Sequence, residues 1–254
     1  MSIVEALLEQ TASQAIAAKV LDVRIGAHWT VVVLDLHGER RAGISSTLHG
    51  GDGDHHHGGG PPVRDAGGLL DYMVPDLAAL VRSDEVLEAS IGVATINALL
   101  DIEVENCVNV NAADVIAERG ADKKVAIVGH FPFIPHIRSV AAETWVLELE
   151  PREGDVPAVK APELIPQADV VALTGTSLLN HTFDGLIKLC RPDAYVLVLG
   201  GTTPLSPLFF DYGVDAVAGT RIVDADATLR CAGQGATFKQ LRGKELLTLF
   251  RPGS

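Results

Sequence analysis

Short apolar runs alternate with helical patterns over the second half of the chain. Each run is bounded by turn residues or charges, and most are followed by apolar residues spaced three and four apart. The predicted strands are 125–128, 144–149, 169–173, 195–199 and 214–218, and the predicted helices are 133–142, 178–190 and 224–232. Buried strands that alternate with helices favour a parallel sheet with right-handed crossovers. One further strand is expected within 236–250.

The first hundred residues show a different pattern, which begins with a capping box at Ser2 and Glu5. Two β-rich runs with Gly-Ala-His between them predict a hairpin. The predicted helices are 3–18, 70–81 with a break near Pro75, and 84–100, and the predicted strands are 20–25, 30–36 and 41–47. A further helix is predicted at 112–119, after the first hundred residues. We therefore expect an α/β protein with a smaller α+β domain at 1–110, whose helices cover one face of a sheet, and a parallel-sheet domain at 111–254.

A histidine- and glycine-rich loop is predicted at 48–62, where HGGDGDHHHGGG contains six glycines, four histidines and two aspartates. Imidazoles and carboxylates are ligands for divalent Zn, Ni, Cu and Co. The loop's candidate metal ligands are His49, His55, His56 and His57. Flexible spacing fixes no geometry, so storage-like metal binding and a solvated loop without a ligand both stay open.

Composition excludes several classes of protein. Apolar residues make up 47% of the 254 residues, which is enough for a packed core, and the net charge of −13 disfavours nucleic acid as a partner. We expect no membrane span, because no run of about 18 apolar residues occurs. The N-terminus lacks the basic cluster of a signal peptide, and three scattered cysteines fit reduced thiols, so a cytoplasmic location is expected.

Candidate ligand-binding residues follow the predicted parallel strands. If 144–149 lies on one side of 125–128 and 169–173 on the other, strand order reverses between Gly129-His130 and Thr174-Gly175. Ligands of open α/β sheets bind at such a point, beyond the carboxyl ends of the strands. The turn at 200–204 is expected next along the same edge. Alternatively, the glycines of these turns only allow tight βα connections.

Two further hypotheses concern this edge. An acidic residue at the end of the second strand, Glu148 or Glu150, suits the ribose of a dinucleotide, but the first turn reads G-H-F-P-F-I rather than G-x-G-x-x-G. Phe131 and Pro132 would obstruct a pyrophosphate. His130 is a candidate metal ligand or proton carrier, and the alternative is a histidine that is only hydrogen-bonded.

Several segments together resemble one family: VGHFPFIP at 128–135, LEPREGDVP at 149–157, ADVVALTGTSLLNHT at 168–182, GGTTPLSPLFFDYGVDAVAG at 200–219 and ASIGVATINALL at 89–100. The chain resembles a heavy-metal-chelation domain family, domain of unknown function 364, over nearly its whole length. The resemblance implies an enolase-N-terminal-like first domain, a Rossmann-like second domain and a site in the cleft between them. The histidine-rich loop looks like an insertion outside the family pattern.

The resemblance also implies a set of ligand-binding residues from both domains: Asn97, Gly129, His130, Phe131, Pro132, Glu148 or Glu150, Thr174, Gly175, Thr176, Asn180, Gly200, Thr202, Thr203 and Pro204. The leading hypothesis is binding of a metal ion, a metal chelate or a small anionic ligand, with a divalent transition metal as the candidate cofactor. The alternative is a small-molecule enzyme with a nucleotide-like cofactor. A homo-oligomer stays open.

Overall fold

The computed structural model describes residues 1–48 and 62–253. The four histidines of the predicted loop, His49, His55, His56 and His57, lie outside the described residues, so their predicted metal binding stays a prediction. The described chain divides into two compact units. The first comprises 1–101, 178–180 and 220–245, and the second comprises 102–177, 181–219 and 246–254.

Eight α-helices and eleven strands are assigned in the part of the chain that the structure describes. The helices are α1 (Ile3–Ala17), α2 (Val74–Ala79), α3 (Val86–Leu99), α4 (Ala112–Gly120), α5 (Ile134–Val140), α6 (Ala161–Leu164), α7 (Phe183–Ile187) and α8 (Ala225–Gly233). The strands are β1 (Ala18–Ile25), β2 (Trp29–Leu36), β3 (Glu39–Ser46), β4 (Cys107–Val108), β5 (Lys124–Val128), β6 (Glu143–Glu148), β7 (Val156–Pro157), β8 (Val170–Thr174), β9 (Tyr195–Leu199), β10 (Ala216–Ile222) and β11 (Lys244–Phe250). None of these helices is long and apolar enough to cross a membrane.

The first unit is built on the antiparallel sheet β1-β2-β3. Helix α1 begins as predicted, because the Ser2 hydroxyl accepts the amide of Glu5. Helix α3 packs against the sheet at Gly43, where a Cβ atom would lie only 2.8 Å from the carbonyl carbon of Asn97. The absence of a side chain at Gly43 therefore lets the helix backbone approach the strand.

The predicted one-sided cover of this sheet is wrong, because the second face is covered as well. Side chains alternate between the faces of a strand, and Gly43 lies on the face toward α3. Its neighbours Ala42 and Ile44 pack with Trp29, Val31, Val33, Leu229, Ala232 and Leu241. The cover of this face therefore comes from α8 and the segment after it, which belong to the first unit although they lie beyond residue 220.

The second unit carries a mostly parallel sheet whose full order is β4-β11-β10-β9-β8-β5-β6-β7. Strand β5 pairs in parallel with β6 on one side and with β8 on the other. The predicted reversal of strand order at β5 is therefore confirmed. Buried aliphatic residues of these strands, among them Val125, Ile127, Val146, Ala172 and Leu197, form the core with α4 and α5.

The predicted helix over 178–190 is wrong at both ends. A 3₁₀ turn at Gly175–Leu178 and the short helix α7 replace it. His181 adopts a left-handed φ of 55°, and the amide of Thr182 donates to the carbonyl of Ser177. A left-handed residue interrupts the helical ladder, which explains why the apolar spacing predicts more helix than forms.

Candidate functional site

The β5 and β8 turns lie side by side at the edge of the parallel sheet. Gly129 follows β5 with a φ of 106°, and its amide donates to the carbonyl of Leu147 over 3.0 Å. A Cβ on Gly129 would lie 3.0 Å from Cβ of Thr174. Both the left-handed backbone and this close approach favour glycine. The prediction that the two corners are adjacent is confirmed.

The turns after β8 and β9 pack tightly against each other. A Cβ on Gly175 would collide with the hydroxyl of Thr203 and lie 2.7 Å from its amide nitrogen. The residues of this contact are buried: Gly175, Thr202, Thr203 and Pro204. Gly200 makes its turn with a φ of 120°. Tight packing explains why Gly175 lies here, and ligand contacts by Gly175, Gly200, Thr202, Thr203 and Pro204 stay predictions.

Thr174 and Thr176 are hydrogen-bonded to each other. Their hydroxyl oxygens lie 2.9 Å apart, and the amide of Thr176 donates to the hydroxyl of Thr174 over 3.3 Å. Both residues are half-buried. On the other side of Gly129, the ring of Phe131 stacks on Phe133 at 5.1 Å with an angle of 12°, and Pro132 is exposed. The β5 turn thus lies between a hydroxyl pair and an aromatic pair.

His130 is held by a buried carboxylate. Its Nδ1 lies 3.2 Å from Oδ2 of Asp155, whose side chain is 1% exposed, whereas the His130 side chain is 34% exposed. The end of β5 and the start of β7 lie at the same level of the sheet, because Val128 and Val156 both pair with Leu147 of β6. His130 follows Val128 by two residues, and Asp155 directly precedes Val156.

Three further charged groups surround this pair. The amide of Arg152 donates to Oδ2 of Asp155 over 3.1 Å, and Nη2 of Arg138 lies 3.9 Å from Oδ1. Glu148, at the end of β6, is half-buried. Its burial, together with the negative charge of Asp155, raises the pKa of Glu148 above the ordinary glutamate value, although His130 and Arg152 act in the opposite direction.

Asp155, Arg138 and Arg152 are the residues of this arrangement that sequence reasoning missed. Asp155 lies in the connection between β6 and β7. The signals are the family-like segment LEPREGDVP at 149–157 and, within it, the R-E-G-D sequence at 152–155, which suits a turn. Gly154 has a φ of 85°, and the amide of Asp155 donates to the carbonyl of Arg152. Nothing in the sequence indicates that this turn meets His130.

Two predicted site residues belong to the first unit, Asn97 and Asn180. The side-chain amide of Asn97 donates to the carbonyl of Ile44 over 2.8 Å and so ties α3 to β3. Asn180 is half-buried. The first unit also contains an open apolar groove, lined by residues of α1 and α2 that include Leu8, Ile16 and Pro75. None of the predicted site residues lines this groove, so it is not the candidate site.

A histidine that donates one ring nitrogen to a carboxylate has the arrangement typical of metal-ligating histidines, since the carboxylate orients the ring and raises its basicity. The same arrangement suits a proton acceptor. In residues 1–48 and 62–253, no three histidine, cysteine, aspartate or glutamate side chains converge to hold a metal ion. The described chemistry of the site is therefore one oriented imidazole with carboxylates and arginines beside it.

Comparisons with known proteins cover nearly the whole chain. The model of the family DUF364, described as "Putative heavy-metal chelation", matches residues 111–250, and that of DUF4213, with the same description, matches residues 8–100. An uncharacterized protein from Methanocaldococcus jannaschii is 26% identical over 221 residues, which are 83% of this chain and 82% of the relative.

Two solved structures share the fold. A DUF364 protein of unknown function from Desulfitobacterium hafniense gives a TM-score of 0.78 at 21% identity and covers 97% of this chain and 100% of its own. A DUF364 protein of unknown function from Pyrococcus horikoshii gives a TM-score of 0.82 at 18% identity and covers 98% of this chain and 99% of its own. By the match over 111–250 and this shared fold, the chain belongs to the DUF364 family.

Proposed function

We propose that the protein binds a divalent transition metal, alone or within a chelate, or a small anionic ligand at the corner formed by the β5 and β8 turns. His130 is the metal ligand or proton carrier of this proposal. The observation that carries it is the contact between His130 Nδ1 and the buried Asp155 carboxylate at the point where strand order reverses.

Other observations support the same place. Arg138 lies near Asp155, and the charge of Arg152 acts on Glu148, so both bring positive charge to the site, which suits an anionic ligand. The glycine turns let backbone amides approach such a ligand. The family description points to metal chemistry. The Rossmann-like and enolase-N-terminal-like labels of the two domains, and a ligand position between the domains, belong to this proposal as predictions.

Calorimetric titration of the His130→Ala variant with Ni, Zn and Co salts tests the proposal. We expect loss of one binding event relative to the unmodified chain. His136→Ala is the matched control, because His136 is exposed on α5 near His130 and makes no predicted contribution. Unchanged metal binding by the His130→Ala variant would contradict the proposed role of His130.

The histidine-rich segment binds metals in its own right under the storage hypothesis, so each titration is repeated in a chain that lacks 49–60. If this deletion abolishes all binding and His130→Ala changes none, the segment is the metal site and the proposal is wrong. If one event survives the deletion and disappears with His130→Ala, the proposal is supported.

The alternative is an enzyme with a nucleotide-like cofactor. Strand order reverses at β5 with Glu148 at the end of the neighbouring strand, which is where dinucleotide-binding sheets place the acidic residue for the ribose. Thermal-shift screening with NAD, S-adenosylmethionine and pterins tests it. A shift of several degrees with one compound would favour the enzyme, and no shift would leave metal or anion binding as the better explanation.

A further inference from the structure

We infer that Asp155 is a positioning residue, which fixes the imidazole of His130 as the Nδ1–H tautomer and presents Nε2 as the reactive nitrogen. The importance of this nitrogen for a ligand rests on the proposed function. The tautomer itself does not, because it is a property of the protein without ligand.

Both carboxylate oxygens of Asp155 have a positively polarised neighbour. Its carboxylate accepts the amide hydrogen of Arg152 at Oδ2, and the guanidinium of Arg138 lies 3.9 Å from Oδ1. Oδ2 of Asp155 thus acts as a hydrogen-bond acceptor in this structure. An ionised carboxylate only accepts hydrogen bonds, so the nitrogen that faces it carries a hydrogen.

The imidazole ring of His130 faces this carboxylate with Nδ1. Nδ1 of His130 lies 3.2 Å from Oδ2 of Asp155, within hydrogen-bond distance. When the neutral imidazole carries its hydrogen on Nδ1, Nε2 keeps the lone pair. His130 is partly exposed while Asp155 is almost completely buried, so the partner of Nδ1 is shielded from water and the ring still reaches solvent.

The backbone on both sides of Asp155 is fixed by hydrogen bonds. The turn at 152–155 is closed by the bond from the Asp155 amide to the Arg152 carbonyl, and Nη2 of Arg138 donates to the carbonyl of Gly154 over 2.8 Å. The parallel pairing of Val156 with Leu147 fixes the chain directly after it. Asp155 is thus held from both sides by backbone contacts, as expected of a group that orients another.

A heteronuclear NMR experiment on the full chain, with ¹⁵N-labelled histidine and no added metal at pH 8, reads the tautomer directly. We expect the signals of His130, assigned with His130→Ala, to show a protonated Nδ1 and an unprotonated Nε2. In Asp155→Asn, the population should shift toward the Nε2–H form that free histidine favours. An Nε2–H ring in the unmodified chain, or two protonated nitrogens, overturns the inference without any variant.

Asp215→Asn is the matched control. Asp215 also accepts a backbone amide, that of Val196, and lies near an arginine, with Nη1 of Arg251 at 3.7 Å, but it does not contact His130. We expect comparable destabilisation and an unchanged His130 tautomer. An identical tautomer shift in both variants, or no shift in Asp155→Asn, contradicts a positioning role.

Metal titration separates this inference from the proposed function. If both are correct, Asp155→Asn weakens the His130-dependent binding event by about 10- to 100-fold, in the range seen when outer partners of metal ligands are removed. If the tautomer shifts as expected but the unmodified chain shows no His130-dependent binding, Asp155 positions the ring and the proposed function is wrong. If binding is present and the tautomer does not shift, the positioning role is wrong.

Discussion

Glu88 is a buried carboxylate whose charge is satisfied by several donors. Its side chain is 2% exposed, and it accepts hydrogen bonds from the guanidinium and amide of Arg64 and from the hydroxyl of Ser83. These bonds lower the pKa of Glu88 from 4.5 to about 2, against the effect of burial. At the scale of single residues, this cluster fixes the chain after residue 62 to the start of α3.

We expect Glu88→Gln to lower the free energy of unfolding of the first unit by about 2–3 kcal/mol at pH 7, because a pKa unit corresponds to about 1.4 kcal/mol and the exposed Arg64 reduces the full value. The measurement is urea denaturation in a Trp145→Phe background, where the fluorescence of Trp29 reports the first unit. Glu85→Gln is the control, since Glu85 is exposed on the preceding turn. Equal effects of the two substitutions would contradict the role of Glu88.

The pH dependence of this effect follows from the lowered pKa. Glu88 binds a proton more weakly in the folded than in the unfolded chain, so its contribution is fully present above about pH 4.5 and is lost as pH falls toward 2. The difference between the unmodified chain and Glu88→Gln should therefore shrink between pH 4.5 and pH 3. A difference that stays constant over this range, measured by the same denaturation, would be the contrary result.

The backbones of helix α3 and strand β3 are in close contact at Gly43. The backbone of α3 approaches Gly43 so closely that a methyl group has no room there, and the Asn97 amide bonds the carbonyl of the next residue, Ile44. The obstructing atoms are all backbone, so no side-chain rotation relieves the collision. Contact between these two elements therefore requires glycine at this position.

Gly43→Ala is expected to destabilise the protein by about 3 kcal/mol, at the upper end of the range for overpacked sites, because helix and sheet must move apart.

Gly185→Ala is expected to have the opposite effect on stability. Gly185 lies in α7, and apart from its chain neighbours and the backbone of its own helix no atom lies within 4 Å of the place that an added methyl group would take. Alanine should therefore stabilise the protein by about 0.5–1 kcal/mol through helix propensity. Thermal unfolding of both variants checks the two signs, and a stable Gly43→Ala protein would contradict the close packing.

Sequence patterns predict a helix or strand when neighbouring residues determine it, and they miss one that depends on contacts with distant residues. The apolar strands β5, β8 and β9 and the cap at Ser2 are predictable because burial and capping depend on neighbouring residues. The two-residue strand β7 has no periodicity and exists through its pairing with Leu147. Since β7 places Asp155 beside His130, the candidate site was only half predictable: the histidine could be identified, and its partner could not.

At the scale of the molecule, each compact unit combines segments that are far apart in the chain. The first unit contains 220–245 in addition to 1–101, and the apolar residues Leu229, Ala232 and Leu241 cover one face of its sheet. The sheet residues that they cover include Trp29, Val31 and Val33, which are at most 8% exposed. A sequence read in order places α8 with the parallel strands, because nothing local shows which sheet a helix will cover.

A fragment of residues 1–101 is therefore expected not to fold into a unique structure. Without 220–245, one face of β1-β2-β3 would expose large apolar side chains to water, at a cost of about 25 cal/mol per Å². We expect poor dispersion in its NMR spectrum and binding of a hydrophobic dye, whereas the full chain should show neither. Cooperative unfolding of the isolated fragment would show that α8 is dispensable for this sheet.

The late position of α8 has a consequence for synthesis. The ribosome releases β1, β2 and β3 early, but the helix that covers their second face leaves the exit tunnel only after more than a hundred further residues have been translated. During this interval we expect Trp29, Val31 and Val33 to be exposed, and such transiently exposed apolar surface makes a folding chain prone to aggregation and dependent on chaperones. We therefore expect the amino-terminal sheet to complete its folding at the end of translation rather than at its beginning.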